Sequence, residues 1–437
     1  MHDAQQTPAD LPKDQPKTLA AWCFFDWANS AFTTLVVTFI YATYFSQTFA
    51  PDQDTGTAWW SRGVAVSSLI IAALSPLFGA IADRGGSRKR FLLGSTLTCV
   101  LATVILTFVT PDQPNAVWIA LGLFVVGNVA FEMSMVFYNS FLPVVASSAR
   151  IGRISGYGWG AGYVGGLLCL VVALLGFVGL GDAAPWFDLS QENAFNVRAT
   201  NLLVAGWFLL FSLPLFLFVR EPKGTVDGGF DVGAALASLR QTFRDIQRYR
   251  EVVKFLFARL IYNDGLITIF AFGGIYAAGT FGMTFSEVIQ FGIILNVAAG
   301  LGALVFGFFD DKLGGKTTVM VSLVALALCA LLAVLSPSKT LFWVAGIGIG
   351  IFAGPNQSAS RSLMGRFVPE KHQSEFFGFF AFSGKATAFM GPLLLGLLSE
   401  HFGQRAGVSV VIGFFIVGGL LLMSVDEERG MAAAKGH

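Results

Sequence analysis

The chain has 437 residues, of which 54% are hydrophobic and only 13% are charged. The charged share is about half that of soluble globular proteins, so the composition excludes a water-soluble enzyme and a disordered chain. The net charge of +1 gives no general attraction to phosphate, which excludes a nucleic-acid partner. Neither the histidines nor the cysteines form a ligand pattern, so we expect no disulfide, metal or cofactor; the cysteines are Cys23, Cys99, Cys169 and Cys329.

Twelve runs of sequence are long and apolar enough to cross a bilayer as helices, since a spanning helix needs about 20 mostly apolar residues. A membrane β-barrel is excluded because the runs do not alternate polar and apolar residues. The sequence therefore predicts an all-α membrane protein with twelve transmembrane helices. We number them spans 1 to 12, at residues 20–49, 58–81, 91–110, 115–143, 156–180, 200–219, 254–279, 286–309, 317–336, 340–364, 375–398 and 405–424.

The distribution of Lys and Arg predicts the orientation, because cytoplasmic loops are enriched in basic residues. Most of them lie in the tails and in alternate loops, whereas the opposite loops carry only Arg62, Arg198, Lys339 and Arg405. We therefore expect a multi-pass protein of the cytoplasmic (inner) membrane with both termini in the cytoplasm.

Five segments are predicted along the chain. An N-terminal six-helix bundle, residues 19–220, and a C-terminal one, residues 254–425, are flanked by cytoplasmic tails at 1–18 and 426–437. The two bundles are joined by the polar linker 221–253.

The linker has the pattern of an amphipathic helix. Its basic residues recur every four positions on one face, and its apolar residues fall on another: Arg240, Arg244 and Arg248 against Leu236, Leu239, Phe243 and Ile246. We expect residues 236–250 to lie on the anionic lipids of the inner leaflet. A regulatory docking helix is the alternative.

The two bundles repeat each other. Gly79, Asp83 and Arg84 follow span 2, and Gly307, Asp311 and Lys312 follow span 8 at the same spacing. Asp26 in span 1 likewise has a counterpart, Asp264, in span 7. Pseudo-symmetric halves of this kind are typical of secondary transporters.

The stretch after span 2 is similar to the signature of the major facilitator superfamily, Gly-x3-Asp-Arg-x-Gly-Arg-Lys, with Ser87 inserted before Arg88 and Lys89. Within the superfamily the chain resembles the vacuole-effluxer branch, named for a fungal autophagy-related amino acid exporter. The matching stretches are residues 25–32 in span 1, 357–362 in span 10, and 375–378 and 391–392 around span 11.

This resemblance implies two pseudo-symmetric six-helix bundles in which spans 1, 4, 7 and 10 line a central cavity. It also implies solute transport, with amino acids as candidate substrates and export as the direction. In the superfamily the carboxylate at the position of Asp83 caps a neighbouring helix and holds one conformation of the cytoplasmic face. We therefore expect conformational latches at the two repeated motifs, Gly79, Asp83 and Arg84, and Gly307, Asp311 and Lys312.

Ionisable residues inside the spans are the main candidates for function, because each costs about 2.5–3.5 kcal/mol at the bilayer centre. They are Asp26, Glu132, Asp264, Arg259, Arg361 and Lys385. Asn29 shares a polar helix stripe with Asp26, and Gln357 lies one turn before Arg361. We predict that the substrate-binding residues are Asp26, Asn29, Glu132, Asp264, Gln357, Arg361 and Lys385.

Several of these residues have alternative roles. Asp26 is either a gate carboxylate paired across the bundle or a proton or ammonium site, and Glu132 is either a proton carrier or a partner of Arg361 or Lys385. Arg361 either binds substrate or extends to the membrane surface. Lys385 has no acid nearby in sequence and is a candidate anchor for an anion. Arg259 is expected to be a surface anchor.

The sequence thus predicts a monomeric secondary transporter that moves a small solute by alternating access. Protons carried by Glu132, Asp26 or Asp264 are the expected coupling ion, since no ATP-binding segment is present. The alternatives are an uncoupled facilitator or exchanger, and a membrane sensor that signals through residues 221–253 without net flux.

Overall fold

The computed structural model describes residues 12–84, 88–179, 184–221, 232–245 and 247–435, which are mostly helical. In this part of the chain, eleven helices are long and apolar enough to cross a membrane. Span 10, Lys339–Phe367, has the required length, but its second half contains polar residues between Asn356 and Ser362. With span 10 included, the helices correspond to the twelve predicted spans.

Each half of the chain contains six spans. Those of the N-terminal half are Pro16–Thr48, Gln53–Arg84, Arg88–Leu106, Ala116–Val145, Ile151–Val178 and Glu192–Phe218. Those of the C-terminal half are Arg250–Phe281, Phe285–Leu313, Gly315–Leu335, Lys339–Phe367, Glu370–Phe402 and Gln404–Met423.

Spans 1 and 11 depart from regular α-helix. Span 1 widens to a π-helix over Phe32–Phe39. Span 11 is divided into the helices Gln373–Lys385 and Met390–Phe402, with turns at residues 386–389. Non-helical backbone at membrane depth is tolerated only where protein or a water-filled cavity surrounds it. Both irregularities are therefore expected to face the protein interior.

The packing of the helices repeats between the halves. Span 1 packs on span 6 and span 3 on span 4, as span 7 packs on span 12 and span 9 on span 10. The halves contact each other through spans 2 and 11 and through spans 5 and 8. The architecture is thus two pseudo-symmetric six-helix bundles joined along two helix pairs.

Glycines allow these two helix pairs to approach closely at one end of the molecule. A Cβ at Gly79 or Gly378 would collide with the backbone of the opposite helix, at Ser374 or Ser75 respectively. Gly156 is similarly pressed against the carbonyl of Ala303. The same end carries the interdomain linker, so we call it the linker face. The two halves are closed against each other there.

The linker helix, Val232–Arg244, lies across this closure. Ala235 and Leu239 pack against Ala80 and Ile81 of span 2. On the other side, Ser238 donates a 3.1 Å hydrogen bond to Glu375 of span 11. The Thr242 hydroxyl donates to the same carboxylate, which is fully buried. The helix therefore connects both halves of the protein.

This position differs in part from the predicted one. Leu239 is covered by protein rather than by lipid, whereas Leu236 and the basic residues Arg240, Arg244 and Arg248 remain exposed. Ile246 lies outside the described residues. The lipid contact of the basic face stays a prediction.

The C-terminal tail, predicted as residues 426–437, contains a docked helix at Glu427–Ala434. The Glu427 carboxylate accepts hydrogen bonds of 3.0 and 2.9 Å from the backbone N–H groups of Gly315 and Lys316. A negative charge is favourable at a helix N-terminus, so Glu427 caps span 9. This long-range capping contact could not be recognised from local sequence.

We expect Gly378→Ala to destabilise closure of the linker face. The added methyl group would lie 2.7 Å from the Cα of Pro76, and backbone there cannot move without separating spans 2 and 11. When the linker face opens, the opposite face should close. The distance between spin labels at Thr57 and Ser286, on that opposite face, should therefore become shorter. Gly413→Ala is the control because a Cβ there meets nothing within 4 Å. Equal distance distributions for both variants would contradict this account.

Removing both hydroxyls that bind Glu375, in Ser238→Ala with Thr242→Ala, should release the linker helix. A buried carboxylate that loses its donors costs about 1–3 kcal/mol or more. Hydrogen–deuterium exchange over Val232–Arg244 should therefore become faster by about tenfold or more. Gln241→Ala, which removes only an exposed bond to Asp245, is the matched control and should leave exchange unchanged.

Candidate functional site

A central cavity of about 900 Å³ lies between the two halves. Its lining includes residues of spans 1, 4, 7 and 10, as the resemblance implied, and also of spans 2, 5 and 11. It extends from Asp26 to Gln53 and Thr57, which are exposed at the face opposite the linker. The cavity is therefore accessible from that face and closed at the linker face.

Arg361 closes the bottom of the cavity by joining span 10 to the N-terminal half. Its Nη1 lies 2.8 Å from Oδ2 of Asp26. Its Nε donates to the Ser155 hydroxyl at 2.9 Å, and its Nη2 donates to the Ser155 carbonyl at 2.7 Å. The guanidinium carbon also lies 4.8 Å from the ring centroid of Trp22.

These contacts exclude one of the two alternatives for Arg361, and its contact with substrate stays a prediction. Its side chain is only 2% exposed, so extension to the membrane surface is wrong. Among the described residues, the cavity lining includes Asp26 but not Arg361. In this conformation Arg361 braces the two halves below the cavity, and most of its donors are occupied by protein.

A second charge pair between the halves lies within the cavity itself. Lys385 Nζ is 2.6 Å from Glu132 Oε1, and the two side chains are 27% and 18% exposed. Lys385 ends the first helix of span 11, which presents its side chain to the cavity. The sequence offered no nearby acid for Lys385; span 4 of the other half provides one. Of the two bases considered for Glu132, Lys385 is its partner.

Arg259 also lines the cavity, and its prediction as a surface anchor is wrong. Its Nη1 donates to the Phe380 carbonyl at 2.6 Å and to the Ser383 hydroxyl at 2.8 Å. The guanidinium carbon lies 3.6 Å from the ring centroid of Phe380, a cation–π contact. Arg259 was predicted at the surface because it lies near the end of an apolar run. In the structure, span 11 packs on span 7 and covers the Arg259 side chain.

Neutral polar groups complete the site. Asn29 and Gln357 line the cavity as predicted, and Asn29 Nδ2 lies 3.4 Å from Asp26 Oδ1. Asn263 and Trp159 were missed by the sequence analysis. Asn263 precedes Asp264 in the sequence, and one residue corresponds to about 100° around a helix. A helical projection could have identified that alternative face.

Asp264 is not among the described residues that line the cavity. Its side chain is buried, and Thr387, in the turns of span 11, lies beside it. Of the seven predicted binding residues, five line the cavity, Asp26, Asn29, Glu132, Gln357 and Lys385, and Asp264 and Arg361 do not.

The two repeated motifs form reciprocal contacts between the halves at the linker face. Asp83 accepts hydrogen bonds of 3.0 and 2.8 Å from the backbone N–H groups of Ser374 and Glu375, at the start of span 11. It also pairs with Arg88 at 3.0 Å. Carboxylates at helix N-termini contribute about 0.3–1 kcal/mol, and up to about 2 kcal/mol where partly buried.

Asp311 makes the corresponding contacts in the opposite direction. It accepts from the backbone N–H groups of Gly152 and Arg153 at 2.8 and 3.2 Å, at the start of span 5, and pairs with the Arg153 side chain. Its neighbour Asp310, which the sequence analysis missed, pairs with Arg366 at 2.6 Å.

The basic residues of the predicted latches are placed differently. Arg84 and Lys312 are exposed, and Arg88 and Arg153 supply the positive charges instead. Gly79 and Gly307 lie at the interface between the halves as expected, and the inserted Ser87 lies outside the described residues.

Comparisons with known proteins agree with this architecture. Residues 54–435 match the family model described as "Vacuole effluxer Atg22 like". An uncharacterized MFS-type transporter from Bacillus subtilis, YxiO, is 29% identical over 93% of this chain and 94% of its own length. Autophagy-related protein 22 of Coccidioides immitis is 22% identical over 86% of this chain and 73% of its own.

Solved structures show the same fold. The proton:xylose symporter XylE superposes with a TM-score of 0.71 at 14% identity, covering 96% of this chain and 97% of that one. The E. coli fucose:proton symporter FucP superposes with a TM-score of 0.73 at 14% identity, covering 94% and 98%. The predicted fold, an all-α major facilitator fold, is confirmed. The chain belongs to the vacuole effluxer Atg22-like family of major facilitator superfamily transporters.

Proposed function

We propose that this transporter moves a small zwitterionic solute of the amino acid class, by alternating access and with proton coupling. The observation that carries the proposal is the Glu132–Lys385 pair, which joins the two halves at 2.6 Å while remaining partly exposed to the cavity. A solute bound there contacts both halves at once, as alternating access requires.

The charges of the cavity support a zwitterion. Two acids, Asp26 and Glu132, and two bases, Arg259 and Lys385, line it. An amino acid entering the site would place its carboxylate near Lys385 and Arg259 and its ammonium group near Glu132. Glu132 and Lys385 would then each exchange one oppositely charged partner for another, so neither charge would be left unpaired. A neutral sugar or an anion alone would not achieve this balance.

The distribution of basic residues supports a cytoplasmic location for the linker face, in the inner membrane of the cell. The conformation described here would then be outward-facing. The direction we propose is export, in keeping with the effluxer name of the matching family model. In the transport cycle, the two glycine-lined interfaces and the two aspartate latches would open to load solute from the cytoplasm.

Proton coupling follows from the chemistry of the same pair. A proton bound at this pair or near it would weaken the pair and release Lys385 to bind a substrate carboxylate, and Glu132 is one candidate site. Asp26 and Asp264 are the other proposed proton sites. An uncoupled exchanger is the second candidate function, because both acids that line the cavity already have ionic or polar partners that suit a purely structural role.

Liposomes reconstituted with the purified protein test these proposals. With radiolabelled leucine, lysine and glutamate as probes, Lys385→Met should reduce counterflow by about 10- to 100-fold. That range follows from the loss of one charge-assisted hydrogen bond, which contributes about 1.5–3 kcal/mol. Glu132→Gln removes the partner of the substrate ammonium group, so it should also reduce counterflow, and it should lose accumulation driven by a pH gradient.

The Glu287–Lys339 pair provides a matched control. Its atoms are 2.9 Å apart, and it lies at the opposite face outside the cavity. Glu287→Gln and Lys339→Met should leave counterflow unchanged. If none of the three probes exchanges through the wild type, the amino acid assignment is wrong. If Glu132→Gln retains gradient-driven accumulation, Glu132 has no role in coupling.

The brace at Arg361 predicts strong coupling in a double-mutant cycle. Asp26→Asn leaves a buried guanidinium without its counter-charge and should destabilise the protein by about 3–5 kcal/mol. Adding Arg361→Gln should recover part of this loss, because neither charge then remains. Thermal unfolding in detergent measures both effects. Additive losses in the double variant would show that the two side chains are not energetically coupled.

A further inference from the structure

Asp264 is the one acid inside the described membrane spans whose environment the proposed transport cycle does not explain. Its side chain is 2% exposed, and no ion pair to it forms within the described residues. Asp26 and Glu132, by contrast, each pair with a base from the other half. An ionised carboxylate buried without a counter-charge is costly, so this site requires a cation that the protein itself does not supply.

The groups around Asp264 are suited to a neutral carboxyl. The Thr387 hydroxyl lies beside it and donates to the Leu260 carbonyl at 3.1 Å, so its oxygen is left to accept from a protonated carboxyl. One helical turn further along span 7, the Thr268 hydroxyl is buried without a hydrogen-bond partner. Thr268 and the backbone of Asp264 face Gly391: a Cβ there would collide with Thr268 Oγ1 and lie 3.1 Å from the Asp264 carbonyl oxygen. One hydroxyl beside Asp264 and another one helical turn away are the kind of partners that a protonated carboxyl needs.

The bases on the surrounding turns are occupied elsewhere. Arg259, earlier on span 7, binds Phe380 and Ser383, and Lys385, on span 11, pairs with Glu132. From span 12, the aromatic rings of Phe414 and Phe415 pack on the adjacent residue Gly265. Asn263 holds the same region of span 11 through a 3.1 Å bond to the Gly384 carbonyl.

The interruption of span 11 connects this site to the cavity. Residues 386–389 form turns between its two helices, so Thr387 in the turns lies two residues after Lys385, which ends the first helix. Lys385 faces the cavity and Glu132, whereas Thr387 faces Asp264. A change in the charge of Asp264 therefore acts on the segment that positions Lys385. Discontinuous helices serve as ion sites in other secondary transporters.

We propose that Asp264, with Thr268 and Thr387, forms the proton-binding site that couples the pH gradient to the substrate cavity. The proposal rests on proton-coupled transport and selects Asp264 over Asp26 and Glu132. Proton binding neutralises Asp264, and proton loss leaves a buried anion that displaces the turns of span 11. The position of Lys385, and with it the Glu132–Lys385 pair, then depends on the protonation of Asp264.

Infrared difference spectroscopy of the purified wild type over a pH series tests the site without any substrate. A carboxyl C=O band that titrates in the wild type should be absent from Asp264→Asn and retained in Glu132→Gln. A band that persists in Asp264→Asn overturns the proposal, as does a band lost in Glu132→Gln. Removal of the band by sodium chloride, but not by choline chloride, at constant pH overturns the proton assignment in favour of sodium.

Two glycines of span 11 keep the test decisive if Asp264→Asn does not fold. Gly391→Ala should displace Thr268 and alter the titration of the band, whereas Gly396→Ala, whose Cβ meets nothing within 4 Å, should leave it unchanged. Identical titrations in both variants would count against the site.

Liposome transport supplies the link to function. In the wild type, a pH gradient of one unit should change accumulation of the labelled amino acids by about tenfold for each coupled proton. Asp264→Asn should retain counterflow but lose this dependence. A wild type with the titrating band but without amino acid flux would contradict the proposed substrate and leave the proton site supported. Flux that stays pH-driven in Asp264→Asn would overturn the site.

Discussion

A guanidinium buried inside a membrane protein must find its counter-charge and hydrogen-bond acceptors within the protein itself. Arg361 finds them on spans 1 and 5 of the opposite half, at Asp26 and Ser155. Because these partners belong to the other bundle, the halves cannot separate at the linker face without exposing this charge to water or to lipid. The closed conformation and the bottom of the cavity therefore both depend on one buried ion pair.

The ion pair inside the cavity differs from this buried pair in its exposure. Glu132 and Lys385 also join the halves, but both side chains remain partly exposed, so water and solute can reach them. A partly hydrated pair is weaker than a buried one and can be exchanged for a ligand with opposite charges. Both pairs consist of one acid and one base, but they differ in exposure. The buried Asp26–Arg361 pair is suited to hold the structure together, and the partly exposed Glu132–Lys385 pair is suited to bind solute.

Much of the fold could be predicted from the sequence because bilayer thickness imposes a length and polarity on every crossing helix. Span 10 was predicted from its apolar run at residues 340–364, despite the polar residues in its second half. The positions of Asp83 and Asp311 also followed from the repeat. Partners distant in sequence could not be predicted: nothing near Lys385 indicates Glu132, and nothing near Arg259 indicates Phe380. Asp264 shows the limit of the repeat, because its counterpart Asp26 lines the cavity and Asp264 does not.

The latches at the linker face exchange their partners between the halves. Asp83 of the N-terminal half caps a helix of the C-terminal half, and Asp311 of the C-terminal half caps a helix of the N-terminal half. If the contacts of Asp83 break, those of Asp311 still hold the two halves together, and the reverse is also true. If thermal fluctuations break them independently, the chance of finding both broken is the product of two small probabilities. This duplication would limit passive leakage of ions through the membrane between transport cycles, at the expense of slower turnover.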